Sequence, residues 1–370
     1  MLANADLHIH SRFAIASSER MVPGSLLDAC RCKGISVLGS GDAFHPGWQA
    51  LWEECPGDDV LVVPSAEVED RHRVHHLILL KDFQSFSELR ESLREFSADI
   101  EKSGRPHVRL TGEEIAAAVH DAGGYIGPAH AFTPWTSLYA YFESVAGCYG
   151  EEKIDFLELG LSADSSYGAA ISELSAVPFL TNSDAHSPDP AKLGREFNLL
   201  DLPSWSVKGV LESVIHGRIV QNVGFFPDEG KYNRTACVRC YCQYDPKEAT
   251  GLGWRCPIDG GIIKKGVYDR ARELASGPLQ PRPPYLHMIP LGEIIAKVLQ
   301  VSSPGTKKCQ AIYARLVQSF GNEIAVLTEV PAPDIREIHT GVGDAIDALR
   351  NGRIRLVPGG GGRYGTFFFG

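Results

Sequence analysis

The chain reads as an α/β protein in which a barrel of seven strands precedes a smaller, mostly helical part. Short apolar runs alternate with amphipathic segments through residue 220, polar side chains gather at the C-terminal ends of those runs, and the alternation stops near residue 225. The runs are "ADLHIH" (5–10), "ISVLGSGDA" (35–43), "VLVVPSAEVE" (60–69), "HHLILL" (75–80), "YIGPAHAF" (125–132), "DFLELGL" (155–161) and "FLTNSDAH" (179–186). Helices are expected between and after them at 24–33, 87–102, 113–122, 137–146, 167–176 and 206–216, the third behind the capping box Thr111-Gly-Glu-Glu114. Strands that alternate with helices run parallel, and seven of them suit a closed barrel better than an open sheet.

Several runs end in possible metal ligands. Side chains two apart leave a strand on one face, so His8 and His10 can meet one ion. Asp42 with His45, Glu67, one histidine of "VHHLILL", His130, and Asp184 with His186 complete the set, most of them at the rim where barrel enzymes gather their chemistry. A single histidine is more often a satisfied core or surface residue, and it is the convergence that carries the reading. Imidazoles and carboxylates from several strand ends suit two or three divalent ions (zinc, manganese, iron or magnesium), with carboxylates bridging them.

After residue 225 the style changes. The segment "CVRCYCQYDPKEATGLGWRCPIDGG" holds Cys237-x-x-Cys240 and Cys256, while the position where a second C-x-x-C would close a zinc ribbon is Asp259. Either Asp259 supplies an oxygen ligand or Cys242 substitutes, giving a structural zinc, or the knuckle persists as packed loops. Beyond the proline-rich connector "GPLQPRPPY" (277–285), helix-like segments are expected near 292–300, 307–320 and 344–351. Three units follow: a catalytic barrel over 1–225, a cysteine segment and linker over 226–285, and a basic domain over 286–370.

Composition is that of a folded soluble protein, with 44 % hydrophobic and 22 % charged residues in 370. The net charge of −10 hides a split. Up to residue 230 there are 17 Lys+Arg against 34 Asp+Glu, and after it 19 against 12, so −17 is followed by +7. An acidic metal-binding part joined to a basic one suits contact with a polyanion. Lys264, Lys265, Lys307, Lys308 and Arg363, with Tyr364 beside a glycine run, suit phosphate contact and base stacking, while the phenylalanines of "GTFFFG" fit a terminal buried strand as well. The sequence shows neither a membrane-length apolar run nor a signal peptide, so no membrane partner and a cytoplasmic, nucleoid-associated location are expected.

The order H-x-H, D/H, E, H, H, D-x-H over residues 1 to about 225 resembles the PHP superfamily, whose distorted (β/α)7 barrel holds up to three metals for phosphoester hydrolysis. That resemblance implies His8, His10, Glu67 and Asp184 on one ion, Glu67 with His76 and His130 on a second, and Asp42 or His45 with His186 on a third. His76 is preferred to His75 because the family places its ligand directly before the Leu-x-Leu run. Among these, Asp184, His186, Glu67 and His8 are the expected catalytic residues. Two departures stand out: Asp42 and His45 are separated by two residues where the family has them adjacent, and the further histidine that many members carry shortly after the H-x-H is missing from "SRFAIAS".

The full arrangement, with "TACVRCY", "LGWRCP", "GGIIKKGV", "PPYLHMIPLGEII" and the glycine-rich end, resembles the endonuclease Q family. What the resemblance implies is a metal-dependent nuclease that cuts DNA 5′ to hypoxanthine, uracil, xanthine or an abasic site, leaving 3′-hydroxyl and 5′-phosphate ends. The family usually has cysteine where this chain has Asp259. A small-molecule phosphatase of the histidinol-phosphatase kind explains the barrel but leaves the basic part without work, and a non-catalytic binding module conflicts with the near-complete ligand set. A replication clamp is a further candidate partner, from the aromatic "GTFFFG" end.

Overall fold

The computed structural model describes residues 1–55, 57 and 59–370. All seven apolar runs carry strand: β1 (Leu2–Asp6), β2 (Val37–Gly39), β3 (Leu61–Val63) with β4 (Ser65–Glu69), β5 (His75–Leu79), β6 (Tyr125–Pro128), β7 (Leu157–Glu158) and β8 (Phe179–Leu180). Pro64 stands between β3 and β4, a residue with no N–H to give to a ladder.

The strands follow one another around a barrel. β1, β2 and β3 pair in parallel, as do β7 and β8. The β6–β7 seam is joined by Asp155 N–H to Ile126 O and Ala131 N–H to Glu158 O, and the closing seam by His10 N–H to Ala185 O at 2.9 Å. The expectation of parallel strands throughout fails at β5, which is antiparallel to both β4 and β6. The cause is chain length. Only residues 70–74 link β4 to β5, closed by Asp70 N–H to Val74 O, whereas a parallel return needs a crossover of about a dozen residues or more.

Outside β1 the sheet continues through β9 (Phe197–Asp201) and β10 (Ile219–Gly224). The cysteine segment forms a small hairpin of β11 (Ala236–Cys237) and β12 (Ile263–Lys264). The connector leads into β13 (Tyr285–His287), parallel to β10, so its last residue, Tyr285, and the first two of the expected basic domain belong to the barrel's own sheet. Five helices follow, Leu291–Leu299, Lys307–Phe320, Glu323–Thr328, Ala332–Ile338 and Thr340–Arg350, and the chain ends in a hairpin of β14 (Ile354–Val357) and β15 (Thr366–Phe369). The terminal phenylalanines are thus strand, with Phe367 buried.

Helices appear where periodicity places them at Pro23–Lys33, Gly112–Asp121 and Val207–Ile215, with the Thr111/Glu114 capping box formed; the one expected at 87–102 instead runs Phe83–Leu93, and those expected at 137–146 and 167–176 are broken into the short pieces Leu138–Tyr141, Val145–Tyr149 and Ser165–Gly168. A further helix, Pro46–Glu53, has His45 as its N-cap and proline in its first turn. One apolar core joins the barrel's Leu26, Cys30 and Trp48 to Ile294, Leu316 and Ile346 of the C-terminal helices. Among the described residues no helix is long and apolar enough to cross a membrane.

Candidate metal centre

Strand alternation aims the first donors. His8 and His10 follow β1 and point to one place, where His10 Nε2 lies 3.2 Å from Asp184 Oδ1 and 3.4 Å from Glu67 Oε2, and His8 Nε2 lies 3.8 Å from both carboxylates. His130 Nε2 stands 3.0 Å from Glu67 Oε1. Two groups result, His8 with His10 and Asp184, and Glu67 with His75 and His130, each with one donor atom per residue within 4.8 Å of the others.

The expected ligand His76 is not in either group; its neighbour His75 is. The β4–β5 register decides this, for His75 lies opposite Glu69 and Leu77 opposite Glu67, so His75 shares their face while His76 lies opposite Val68 on the other. His75 Nδ1 is 2.8 Å from Glu67 Oε1. The expected third set does not assemble either. Asp42 is spent on His10 Nδ1 at 2.9 Å and on the Ser11 N–H, while His45 caps its helix through the Trp48 N–H and stacks on Phe13 at 3.8 Å. His186 does approach, with its ring 4.4 Å from that of His10.

Burial and charge oppose each other here. Burial pushes the His8 pKa down, but Glu158, Glu67 and Asp184 outweigh it and raise the value to about 9. Burial likewise works against ionised Glu67, yet His75, His10 and His130 hold its carboxyl well below the usual range. His8 Nε2, His10 Nε2 and Asp184 Oδ1 are all buried without a hydrogen-bond partner. An unpaired buried polar atom costs about 1–3 kcal/mol, so three of them facing one another fit a cation. Asp42, His130 and Asp184 also hold positive φ of 47°, 33° and 46°, backbone strain of the kind concentrated at functional sites.

Two participants carried no motif. Glu158, buried on β7, accepts from His8 Nδ1 at 2.9 Å and from Asn182, fixing the His8 ring so that Nε2 faces the cluster. Arg105 reaches Glu67 Oε2 at 3.2 Å. An acid inside the apolar run "DFLELGL" was the available signal for Glu158; Arg105 had none.

The centre opens on a cavity of 610 Å³. His186 and Arg105 line it, together with Trp135 and Tyr232, whose rings lie 6.4 Å apart, and with Tyr364 and Lys231, 5.9 Å apart. Of the expected DNA-contacting residues, Tyr364 lines this cavity, Lys264 sits 3.7 Å over the Trp135 ring, and Lys265 is paired with Glu273. Arg363 precedes Tyr364 in the closing hairpin loop, and Lys307 and Lys308 are exposed at the start of their helix, away from the cavity. In the hairpin of β11 and β12, Cys237, Cys240, Cys256 and Asp259 bring their donor atoms together, and Cys242 stays outside.

The family description "MJ0043 C-terminal domain" matches residues 290–353. Uncharacterized protein MJ0043 of Methanocaldococcus jannaschii is 40 % identical over 68 % of this chain, which spans only 33 % of that protein's length. Uncharacterized protein YqxK of Bacillus subtilis is 31 % identical over 98 % of both chains. Among solved structures, the lesion-specific endonuclease Q of Pyrococcus furiosus is 42 % identical, with a TM-score of 0.95 over 100 % of this chain and 96 % of its own. An endonuclease Q bound to a 27-mer duplex with an abasic lesion at its active site is 41 % identical, with a TM-score of 0.96 over 100 % of this chain and 97 % of that one. On a full-length likeness of this order the chain belongs to the endonuclease Q family.

Proposed function

We propose that this protein is a divalent-metal-dependent DNA repair endonuclease that cuts 5′ to deaminated bases (hypoxanthine, uracil, xanthine) and abasic sites, leaving 3′-hydroxyl and 5′-phosphate ends. The observation that carries the reading is the full-length match to endonuclease Q, including a complex with lesion-bearing duplex.

His8, His10 and Asp184 would hold one ion and Glu67, His75 and His130 a second, with zinc, manganese or magnesium as candidates; their unpaired buried atoms fit that role. When bound, such ions neutralise phosphate charge and lower the pKa of a coordinated water to about 7. Around them Glu158 and Asp42 each accept a hydrogen bond from the Nδ1–H of a histidine and leave Nε2 free to ligate. Arg105 offers a fixed positive charge to the scissile phosphate. His186 donates Nδ1–H to the Asp184 carbonyl at 3.0 Å, so its Nε2 is free to accept a proton, and burial with His10 nearby lowers its pKa.

A base can reach the cavity only if it leaves the helical stack, which costs a few kcal/mol and less at a damaged or mispaired position. Trp135, Tyr232 and Tyr364 would stack it and Lys231 would meet the backbone. Cys237, Cys240, Cys256 and Asp259 would hold a structural zinc that keeps the β11/β12 hairpin beside this wall. A replication clamp would have to take "GTFFFG" out of its pairing with β14.

The test is nicking of matched duplexes carrying deoxyinosine, deoxyuridine, an abasic analogue or no lesion, with Mn²⁺ or Mg²⁺. A single cut 5′ to the lesion is expected, lost in Asp184→Ala, His8→Ala and His75→Ala. Phosphate release from small phosphomonoesters with no cut on any duplex would transfer the barrel to the phosphatase reading.

A further inference from the structure

On the face of β5 turned away from the cavity, three more side chains capable of binding a metal meet. Asp70, His76 and Cys148 each bring a donor atom within 4.8 Å of the other two, and they are 0 %, 0 % and 5 % exposed. They arrive from separate places: the turn after β4, β5 itself and the helix Val145–Tyr149.

Hydrogen bonds do not account for the atoms that face each other. Asp70 Oδ1 is occupied, accepting the N–H groups of His72 and Val74 at 2.8 Å each. Its Oδ2 and the Nε2 of His76 stand 3.3 Å apart, yet neither has a hydrogen-bond partner. The Tyr149 hydroxyl lies 2.6 Å from His76 Nδ1. With the imidazole proton given to Tyr149, Nε2 is a bare lone pair directed at a carboxylate oxygen, in a place water does not reach.

A cation removes that conflict. Ligating histidines give their second N–H to a neighbour, as His76 can to Tyr149. A tetrahedral ion held at about 2.0–2.3 Å separates its nitrogen and oxygen ligands by about 3.3 Å. A set of one nitrogen, one oxygen and one sulfur selects zinc over magnesium or calcium. Gly112 leaves the room: a Cβ there would stand 2.8 Å from Cys148 Sγ and 3.0 Å from His76 Cε1.

We propose that Asp70, His76 and Cys148 form a structural zinc site, separate from the cluster that faces the cavity. Binding converts the Cys148 thiol to a thiolate and releases its proton, with Asp70 ionised and His76 neutral. The ion ties the turn and the helix Val145–Tyr149 to β5, and His75 is the residue next to His76 on that strand. The site therefore holds a cavity-facing donor in place from behind.

Anomalous diffraction at the zinc edge, on crystals of the unaltered full-length protein produced with zinc, is expected to give a peak among Asp70 Oδ2, His76 Nε2 and Cys148 Sγ. No peak there overturns the proposal. Independently, Asp70→Asn, which keeps the Oδ1 acceptor, and Cys148→Ala are each expected to lose one zinc per chain by elemental analysis, while Cys30→Ala keeps the full complement. Unchanged zinc in folded samples of both variants reduces Asp70 and His76 to a plain hydrogen bond and removes the site. If neither variant folds, the diffraction result decides alone.

Discussion

Glu196 is shut away from water with one carboxylate oxygen accepting the Phe225 N–H at 3.0 Å and the other unpaired. Burial, the dominant cause, pushes its pKa up to about 8. Because the folded value lies above the unfolded one of about 4.3, the stability it contributes is complete below that unfolded value and is lost as pH rises toward 8. Wild type is therefore expected to lose melting temperature relative to Glu196→Gln between pH 5 and pH 8, as checked by thermal unfolding of the metal-free proteins; parallel curves would reject the assignment. At this scale the sequence was an uneven guide. Donors on strand ends were legible because period two fixes their direction, and the same rule, applied through the β4–β5 register, selects His75 over His76 where motif resemblance selected His76. Arg105 was not legible, because it reaches Glu67 from a segment without regular structure.

Between elements, one buried ion pair fixes how the C-terminal helices meet the barrel. Lys33, the last residue of Pro23–Lys33, donates to Glu323 at 2.7 Å with both side chains at 0 % exposure. Glu323 also accepts from the Leu291 N–H at 3.0 Å and the Tyr313 hydroxyl at 2.8 Å. Removing one partner leaves an uncompensated buried charge, so Glu323→Ala is expected to cost about 3–5 kcal/mol in denaturant unfolding, whereas Lys33→Met with Glu323→Gln, which keeps an acceptor for the Leu291 N–H and the Tyr313 hydroxyl, is expected to cost less. Equal losses in the single and double variants would mean that volume, not charge, governs the site. No sequence pattern pairs residues 290 positions apart, so this contact was invisible beforehand. Of the helices that meet there, Pro23–Lys33, Leu291–Leu299 and Lys307–Phe320 were visible through their periodicity, whereas the six-residue Glu323–Thr328 was not. The tight β4–β5 link was open to the same reading, since five residues cannot carry a parallel return.

At the scale of the whole molecule, the acidic barrel and the basic part that follows it share one core and one sheet, so the cavity between them is a fixed feature of the fold. The charge split was legible from composition and Tyr364 from its place beside the glycine run, but Trp135 and Tyr232 were not, because only tertiary contact brings them to the same cavity. The wall has two kinds of group, and their energetics separate them. A stacking ring contributes about 1–3 kcal/mol per base with little dependence on salt, whereas each phosphate-neutralising lysine adds about 0.9 to the slope of log affinity against log salt. On the proposed function, Tyr364, exposed at 65 %, would take the first role, and Lys231, 5.9 Å from the Tyr364 ring, the second. Tyr364→Ala is expected to lower affinity for a deoxyuridine duplex about 5- to 150-fold while leaving both its salt slope and binding to undamaged duplex unchanged. Lys231→Ala is expected to weaken both duplexes alike and to reduce the slope by about 1. Titrations of each variant at several salt concentrations read both quantities together. A Tyr364→Ala variant that weakened damaged and undamaged duplex equally would move base capture away from this wall, because a ring that meets only an extruded base has nothing to lose on a closed helix.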